Sequence, residues 1–540
     1  MIINFDQNSD YYFQNAITAK ENGDYLKSFK YIHEAISKEE SSEYTLFLAS
    51  LYMDIEEYDE ALDLAFSLLA EKQNANINDI YLLISKCLLK ENMIMDSCEY
   101  LALHAEKSSD VIHLQEVSTI ISRLQKELSK ASKNEELLYI TSNKKAEQEK
   151  ELYQNVEFLL ETGRYRLALD TLEMIEHKNN NKGLNYRARC MYFLEEKGIE
   201  ELWKILLDTK TADGYVLSDI VKSDFEIERA KDLLLNFESK DNDEILKTIE
   251  ACIILQDYKL GKSLLKKLCL HPINIKKTFV DCVLEFNLGD KKKAQEILQD
   301  ILAIHPYLPK GLINDFLNRK KLSIPYDDIP EEMIYGIVKE VEKSFSDHNE
   351  FKEKFVTDSS FRKAVQFCLT QPLSQSFVES LVVRIEMFSA STQIFYDFLK
   401  KMLLSYKVTP LARIALLKSY IFLEKNFRVK YLSRSFIKQV NLKKLDFVSK
   451  EKSPLLWDLW AETYANVLVI DGKFGKNLLD IFKKKLSKLK IAINRYSSEQ
   501  LIPVLLFLSV DGVIPLEVFA HGFEVDIDEL SHIIGELIEE

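Results

Sequence analysis

The sequence predicts an all-α solenoid, a stack of paired helices, and three observations predict it. A turn-plus-aromatic pattern followed by a small residue recurs with a period near 34 residues: Asn22-Gly23-Asp24-Tyr25 then Ser28, Glu57-Tyr58 then Ala61, Asn92-Met93-Ile94 then Ser97, Thr162-Gly163-Arg164-Tyr165 then Ala168, Gln256-Asp257-Tyr258 then Gly261, and Leu288-Gly289-Asp290 then Ala294. Glycine and proline number only 14 and 10 among 540 residues. Those shares are well under the usual levels of about 7% and 5%, so few helices are interrupted. With 46% hydrophobic and 29% charged residues, the chain is globular. A fixed period of this size puts function on an extended surface rather than in one catalytic pocket.

From the amino terminus, the copies resemble tetratricopeptide repeats (TPR), and the resemblance covers residues 1–306. In that family each unit is two antiparallel helices, and small residues at its eighth and twentieth places let neighbouring helices approach. Ala16 and Ser28 fill those places in the first copy, Ala49 and Ala61 in the second, Ser85 and Ser97 in the third, and Cys282 and Ala294 in the last. Gly23, Asn92, Gly163 and Gly289 stand where the first helix must end and the chain turn. Pro306 stands where the family's last second helix would stop. The reading divides this part into a TPR array of about three repeats over 1–124, a charged helix or linker over 125–150, and a second array of about five repeats, two degenerate, over 151–306.

Beyond Pro306 the period stops, and Ile324-Pro325-Tyr326 with Asp328-Ile329-Pro330 marks a loop. Helical hairpins then continue through 307–424, with 361–370 facing 374–388 and 392–406 facing 412–423. These are similar to HEAT-type helix pairs. Residues 425–496 form a basic region in which Val429 and Tyr431 alternate with Arg428 and Lys430 ahead of Phe436, a pattern that fits a short β-hairpin. Residues 497–540 form an acidic tail that is similar to the core of a bacterial helix-turn-helix. Ala520 matches the small residue where two helices cross, Val525 the hydrophobe after the turn, and Leu530 the first buried residue of the recognition helix. Glu524 departs from that pattern, where the family has Gly. The arrangement also resembles TPR proteins of low-GC Gram-positive bacteria that carry a helix-turn-helix-like end, a likeness that implies no activity.

Charge is unevenly spread over a net of −15. Residues 1–100 hold 19 acidic and seven basic side chains, and 496–540 hold ten acidic and no Lys or Arg. Residues 425–450 and 473–495 each hold eight basic and one acidic. Both ends should repel duplex DNA, and the tail's would-be recognition helix offers carboxylates where a DNA reader carries cations or amides. Lys425, Arg428, Lys430, Arg434 and Lys438 interleave with Phe427, Tyr431 and Phe436, a set that could hold single-stranded nucleic acid. The alternative, which the sequence favours, is a solvated strand face with its rings in the core. Lys483, Lys484, Lys485, Lys488 and Lys490 make a basic amphipathic helix that could simply face the acidic tail.

No catalytic, metal or cofactor motif is present: the nine His never form HxH, HExxH or HxxxH, and phosphate-binding glycine loops are absent. The seven Cys show no CxxC, which indicates buried reduced thiols. With no basic-then-apolar start and no run long enough to span a bilayer, the expected setting is the cytoplasm. The expectation is a non-enzymatic interaction scaffold for a peptide or amphipathic helix. The alternative is a regulator using the 425–495 basic surface on nucleic acid. In TPR proteins, set places on each first helix line a concave groove. These fall here on Phe13, Lys20, Ser50, Lys86, Lys90, Tyr153, Glu157, Phe279, Phe286 and Asn287. Phe13 and Ile17 stand where chaperone-tail binders of that family have their Lys and Asn, so a carboxylate clamp of that kind is not expected.

Overall fold

The structure is a computed structural model. It describes residues 8–71, 76–91, 93–107, 152–153, 156–157, 159–160, 165–175, 177–306, 308, 331–389, 392–422, 428–433, 435–441, 453–511, 513–523 and 525–538. The expected linker over 125–150 and the loop around Pro325 lie outside these residues. Three hairpins open the chain: α1 (Ser9–Glu21) with α2 (Tyr25–Lys38), α3 (Ser42–Asp54) with α4 (Tyr58–Glu71), and α5 (Ile77–Lys90) with α6 (Ile94–Lys107). Helical residues within 152–160 precede α7 (Tyr165–Glu173). Four more pairs follow: α8 (Asn181–Phe193) with α9 (Ile199–Thr209), α10 (Gly214–Lys222) with α11 (Ile227–Leu235), α12 (Asn242–Ile254) with α13 (Tyr258–Leu265), and α14 (Ile275–Asn287) with α15 (Lys291–Ile304).

The small residues sit at the helix crossings. Ala16, Ser28, Ala49, Ala61, Ser85, Ser97, Ala168, Cys282 and Ala294 all have no exposed surface. Where the pair carries a hydroxyl or thiol, it bonds across the crossing: Ser28 Oγ to the Ala16 carbonyl (2.7 Å), Ser97 Oγ to the Ser85 carbonyl (2.8 Å), and Cys282 Sγ to the Ala294 carbonyl (3.2 Å). At Gly261 a Cβ would lie 2.9 Å from Leu284 Cδ2, so the glycine keeps α13 close to the next hairpin. This is an all-α solenoid of stacked hairpins, TPR-like in its crossings.

The described turns between paired helices of the array place one or two residues in the left-handed region, two in the α8–α9 turn (Glu195, Gly198) and in the α10–α11 turn (Asp224, Glu226). Gly23 (φ 76°) and Gly289 (φ 95°) take it freely, but Glu56, Glu195, Asp224 and Gln256 take it with a side chain. The following residue's amide reaches back to close the helix, as Asp24 N–H does on the Ala19 carbonyl (2.9 Å) and Glu57 N–H on the Tyr52 carbonyl (2.8 Å). A Cβ at Gly23 would touch nothing within 4 Å, so its replacement costs only conformational energy. Gly23→Ala should therefore lower stability by about 1 kcal/mol. Gln256→Gly, at an exposed residue in the same conformation, should show no such loss, both read as shifts in the urea midpoint.

Behind the arrays, α16 (Glu331–Lys343), α17 (His348–Thr357), α18 (Ser359–Thr370), α19 (Gln375–Ser389), α20 (Gln393–Leu404) and α21 (Pro410–Phe422) continue the stack. Phe351, Phe355, Phe361 and Phe395 form their fully buried centre. A two-stranded antiparallel hairpin interrupts the helices: β1 (Arg428–Ser433) pairs with β2 (Phe436–Asn441), Ser433 opposite Phe436 and Tyr431 opposite Lys438. The chain ends in α22 (Pro454–Asp471), α23 (Gly475–Lys484), α24 (Leu486–Ala492), α25 (Ser498–Ser509), α26 (Leu516–Gly522) and α27 (Ile527–Ile538). Ala520 and Leu530 are buried between these last helices. Lys488 Nζ donates to the Glu536 carbonyl (3.3 Å) and Arg495 pairs with the Glu536 carboxylate (3.6 Å), so the basic helices face the acidic tail. Of the cysteines, Cys87, Cys190, Cys252, Cys282 and Cys368 are buried, Cys98 is half-buried and Cys269 is exposed.

The first array does not project freely. Its second helices, one turn and Tyr52 at the last turn of α3 dock onto the rest of the chain. The last carbonyl of α15, at Ile304, accepts from Tyr52 Oη (2.6 Å) and from His33 Nε2 (3.1 Å). The first amide of α14, at Ile275, donates to the Glu57 carboxylate (2.5 Å), where the helix dipole favours a negative charge. Asn274 Nδ2 donates to the Ile55 carbonyl (3.3 Å). Farther along, Tyr406 N–H donates to Asp63 (2.7 Å), Lys407 pairs with Glu60, and Tyr100 Oη donates to the Ser435 carbonyl (2.8 Å). Ile304 and Leu432 accordingly belong to the apolar core of the first array.

Candidate partner-binding groove

Most of these contacts come from α2, α4, α6 and the turn before α4, with Tyr52 joining them from the last turn of α3. The remaining face of the first array is built from α1, α3 and α5. Along it, neighbouring first helices exchange polar contacts. Tyr44 Oη donates to Asp10 (2.7 Å), and Lys20 pairs with Asp54 (2.7 Å) and donates to Ser50 Oγ (3.3 Å). Lys20 Nζ also lies 5.4 Å from the Phe47 ring centre. Ile17, Leu46, Met53 and Leu89 are half-buried between these charges, Lys86 is half-buried, and Lys90 is exposed at the end of α5. The face thus alternates apolar patches with charge, a surface suited to an amphipathic segment.

The predicted groove set divides under this geometry. Lys20, Ser50, Lys86, Lys90, Glu157 and Asn287 lie at the surface or part-way into it. Glu157 pairs with Lys182 (2.7 Å) and accepts from Tyr186 Oη. Phe13, Tyr153, Phe279 and Phe286 are instead buried, at 7%, 8%, 0% and 2% exposure. Phe13 packs on Tyr44 and Phe47 at ring distances of 4.7 and 5.4 Å, and Tyr153 donates to Asn180 (3.1 Å). A ring at those places is drawn under the neighbouring hairpin, because burying it removes about 150–250 Å² from water. These four serve packing, a correction to their reading as groove lining.

The middle repeats hold a polar network on their first helices that lies outside the predicted set. Arg189 lies 3.9 Å over the Tyr215 ring, Lys222 pairs with Glu250 (3.1 Å), and Glu250 also accepts from Ser218 Oγ (3.2 Å). Asp219, on the same helix as Ser218, is 7% exposed, and burial pushes its carboxyl up to about 7. The signal was there in the two hairpins around 188–207 and 218–235, whose motif had degenerated while their helical spacing persisted.

The basic hairpin set is placed differently. Lys425 and Arg434 lie outside the described residues, and Arg428 opens β1. Lys430 donates its Nζ to the Ala70 carbonyl, and Lys438 is exposed with its Nζ 5.7 Å from the Phe436 ring. Tyr431 is fully buried, and Phe436 stacks on Tyr100 at 5.2 Å and 6°. Both described rings are therefore spent on packing, while a base would need them open. Among the described residues no group of three His, Cys, Asp or Glu is placed to hold a metal ion, and no helix is long and apolar enough to cross a membrane.

No protein-family model and no curated protein matches the sequence. Among solved structures, the chain is similar to the TPR2AB domain of yeast Sti1 in complex with pHSP90, at 12% identity and a TM-score of 0.22 over 55% of this chain and 98% of that one. It is similar to yeast Tom70 at 12% identity and 0.26, over 89% and 98%. It is similar to the APC/C hetero-tetramer Cut9–Hcn1 at 12% identity and 0.19, over 99% and 97%. The fold is read from the chain's own helix crossings.

Proposed function

We propose that this chain is a non-catalytic interaction scaffold whose first array takes an extended peptide or an amphipathic helix on the α1–α3–α5 face. One observation supports the reading: the array anchors itself to the rest of the chain mainly by its second helices and a turn, with Tyr52 at the last turn of α3 the exception among the bonds above. The half-buried Ile17, Leu46, Met53 and Leu89 would supply apolar contact, and Lys86 and Lys90 would fix the register of an acidic flank.

Photo-crosslinking in the native host tests this. A crosslinking residue at Met53 should capture a discrete partner protein, and one at Met95, which is 72% exposed on α6, should not. Met53→Arg combined with Lys90→Glu should remove at least nine-tenths of the captured partner while leaving the melting temperature within a degree or two. Equal capture from both positions, or capture unaffected by the double substitution, would show that this face is not the binding surface.

A further inference from the structure

A second groove lies at the other end of the molecule, between α19, α21 and α22 on one side and the ends of α25 to α27 on the other. Its volume is about 910 Å³, at the upper end of the range for ligand-sized clefts. Leu411, Ile414, Phe523 and Val525 form a half-buried apolar floor. Glu379, Glu499, Asp526 and Glu529 rim it, all exposed, and among the described residues none of the four is in an ion pair. The cleft's cation, Lys418, is turned to Glu462 (2.8 Å) and Asp458 (3.4 Å). Lys485, Lys488 and Arg495 meet the far end of α27 at Ile538 and Glu536, seven residues or more beyond Glu529.

From this geometry we infer that the cleft docks a cationic amphipathic segment of a partner protein, with Leu-, Ile- or Phe-type side chains on the floor and Lys or Arg against the four carboxylates. The floor alone would accept any apolar segment. Glu379 accepts from Gln375, Glu529 from Gln500, and Asp526 caps α27, but these donors are neutral. The rim's net negative charge selects for positive charge, since opposite charge is attracted to it over a Debye length of roughly 8–10 Å. Cations already meet the other end of the same helix: Lys485, between α23 and α24, and Lys488 of α24 donate to backbone carbonyls near the C-terminus of α27, and Arg495 pairs with the Glu536 carboxylate.

The test uses the full chain and a fluorescein-labelled 14-residue Leu/Lys amphipathic helix, followed by anisotropy at 50 and 300 mM NaCl. Binding should weaken at least fivefold at the higher salt and at least tenfold in Glu499→Lys/Glu529→Lys, whose exposed positions leave folding intact by circular dichroism. A second variant, Val525→Asn, should weaken binding while leaving its salt dependence unchanged, because it removes apolar contact without altering the rim charge. A peptide of equal charge without the apolar face should bind at least tenfold less well. Four results would overturn the inference. These are equal binding of that control peptide, affinity unchanged in the charge-reversed variant, no binding at 100 µM, or self-association in sedimentation that the same variant abolishes, which would put a second copy in the cleft.

Discussion

Arg413→Met should destabilise the protein by about 3–5 kcal/mol. Arg413 is 7% exposed on α21, and its guanidinium holds three carbonyls on two pieces of backbone. One terminal nitrogen donates to the Leu432 carbonyl of β1 (2.7 Å). The other donates to the carbonyls of Ser405 (2.7 Å) and Val408 (3.2 Å) in the loop that leads into α21. Burial holds its pKa down at about 10, so it remains charged at neutral pH. Methionine fills the volume but leaves these carbonyls without a donor, and each orphaned buried group costs about 1–3 kcal/mol. The same loop carries Tyr406 and Lys407, which bind Asp63 and Glu60 of α4, so the loss should spread to the docking of the first array. Urea unfolding measures the total. Hydrogen exchange should show β1 and α4 losing protection together, and unchanged protection in α4 would mean that the loop and the array are not coupled.

The crossings and the solenoid were legible because a small side chain at a fixed interval is a local pattern with one physical meaning. Ala16, Ser28, Ala49 and Ala61 could be read without knowing their neighbours. The turns were half legible. Gly23 and Gly289 announce a left-handed residue, while Glu56, Glu195, Asp224 and Gln256 adopt the same conformation because the hairpin closes around them. The groove was the least legible, because counting places along a helix does not say which hairpin will cover them. Phe279 and Tyr153 occupy lining places yet lie under a neighbour. The docking of the first array was invisible for a related reason, since its bonds join residues such as Tyr100 and Ser435, or Tyr52 and Ile304, that are hundreds of positions apart. One signal could have exposed it. Asp24, Asp257 and Asp290 cap their second helices with their own carboxylates, but the second copy has Glu57, and that longer side chain reaches across to α14.

The seam that Glu57 helps to form should also be acid-sensitive. Burial depresses His33 to about 4 and His305 to about 3, against about 6.5 in an unfolded chain. Lowered values mean that the unfolded chain takes up protons first. The stability these neutral rings permit is complete above pH 6.5 or so, and it falls as pH drops toward 4 and 3. At pH 5 each ring would cost roughly 2 kcal/mol. Lys363 lowers His33 further, Lys407 lowers His305, and Glu60 opposes that second effect. Asp59 and Asp63, raised mainly by burial, act in the reverse sense and offset part of the loss as they take up protons. His33→Gln separates these contributions, because glutamine can still donate to the Ile304 carbonyl but does not titrate. Between pH 7.5 and 5, wild type should lose several degrees in melting temperature, and the variant about half as many. Protonation would take the neutral rings out of the buried contact with α15, so exchange in α2 and α15 should rise at pH 5 before the middle hairpins respond. An identical acid slope in wild type and variant would show that the seam does not set the protein's response to pH.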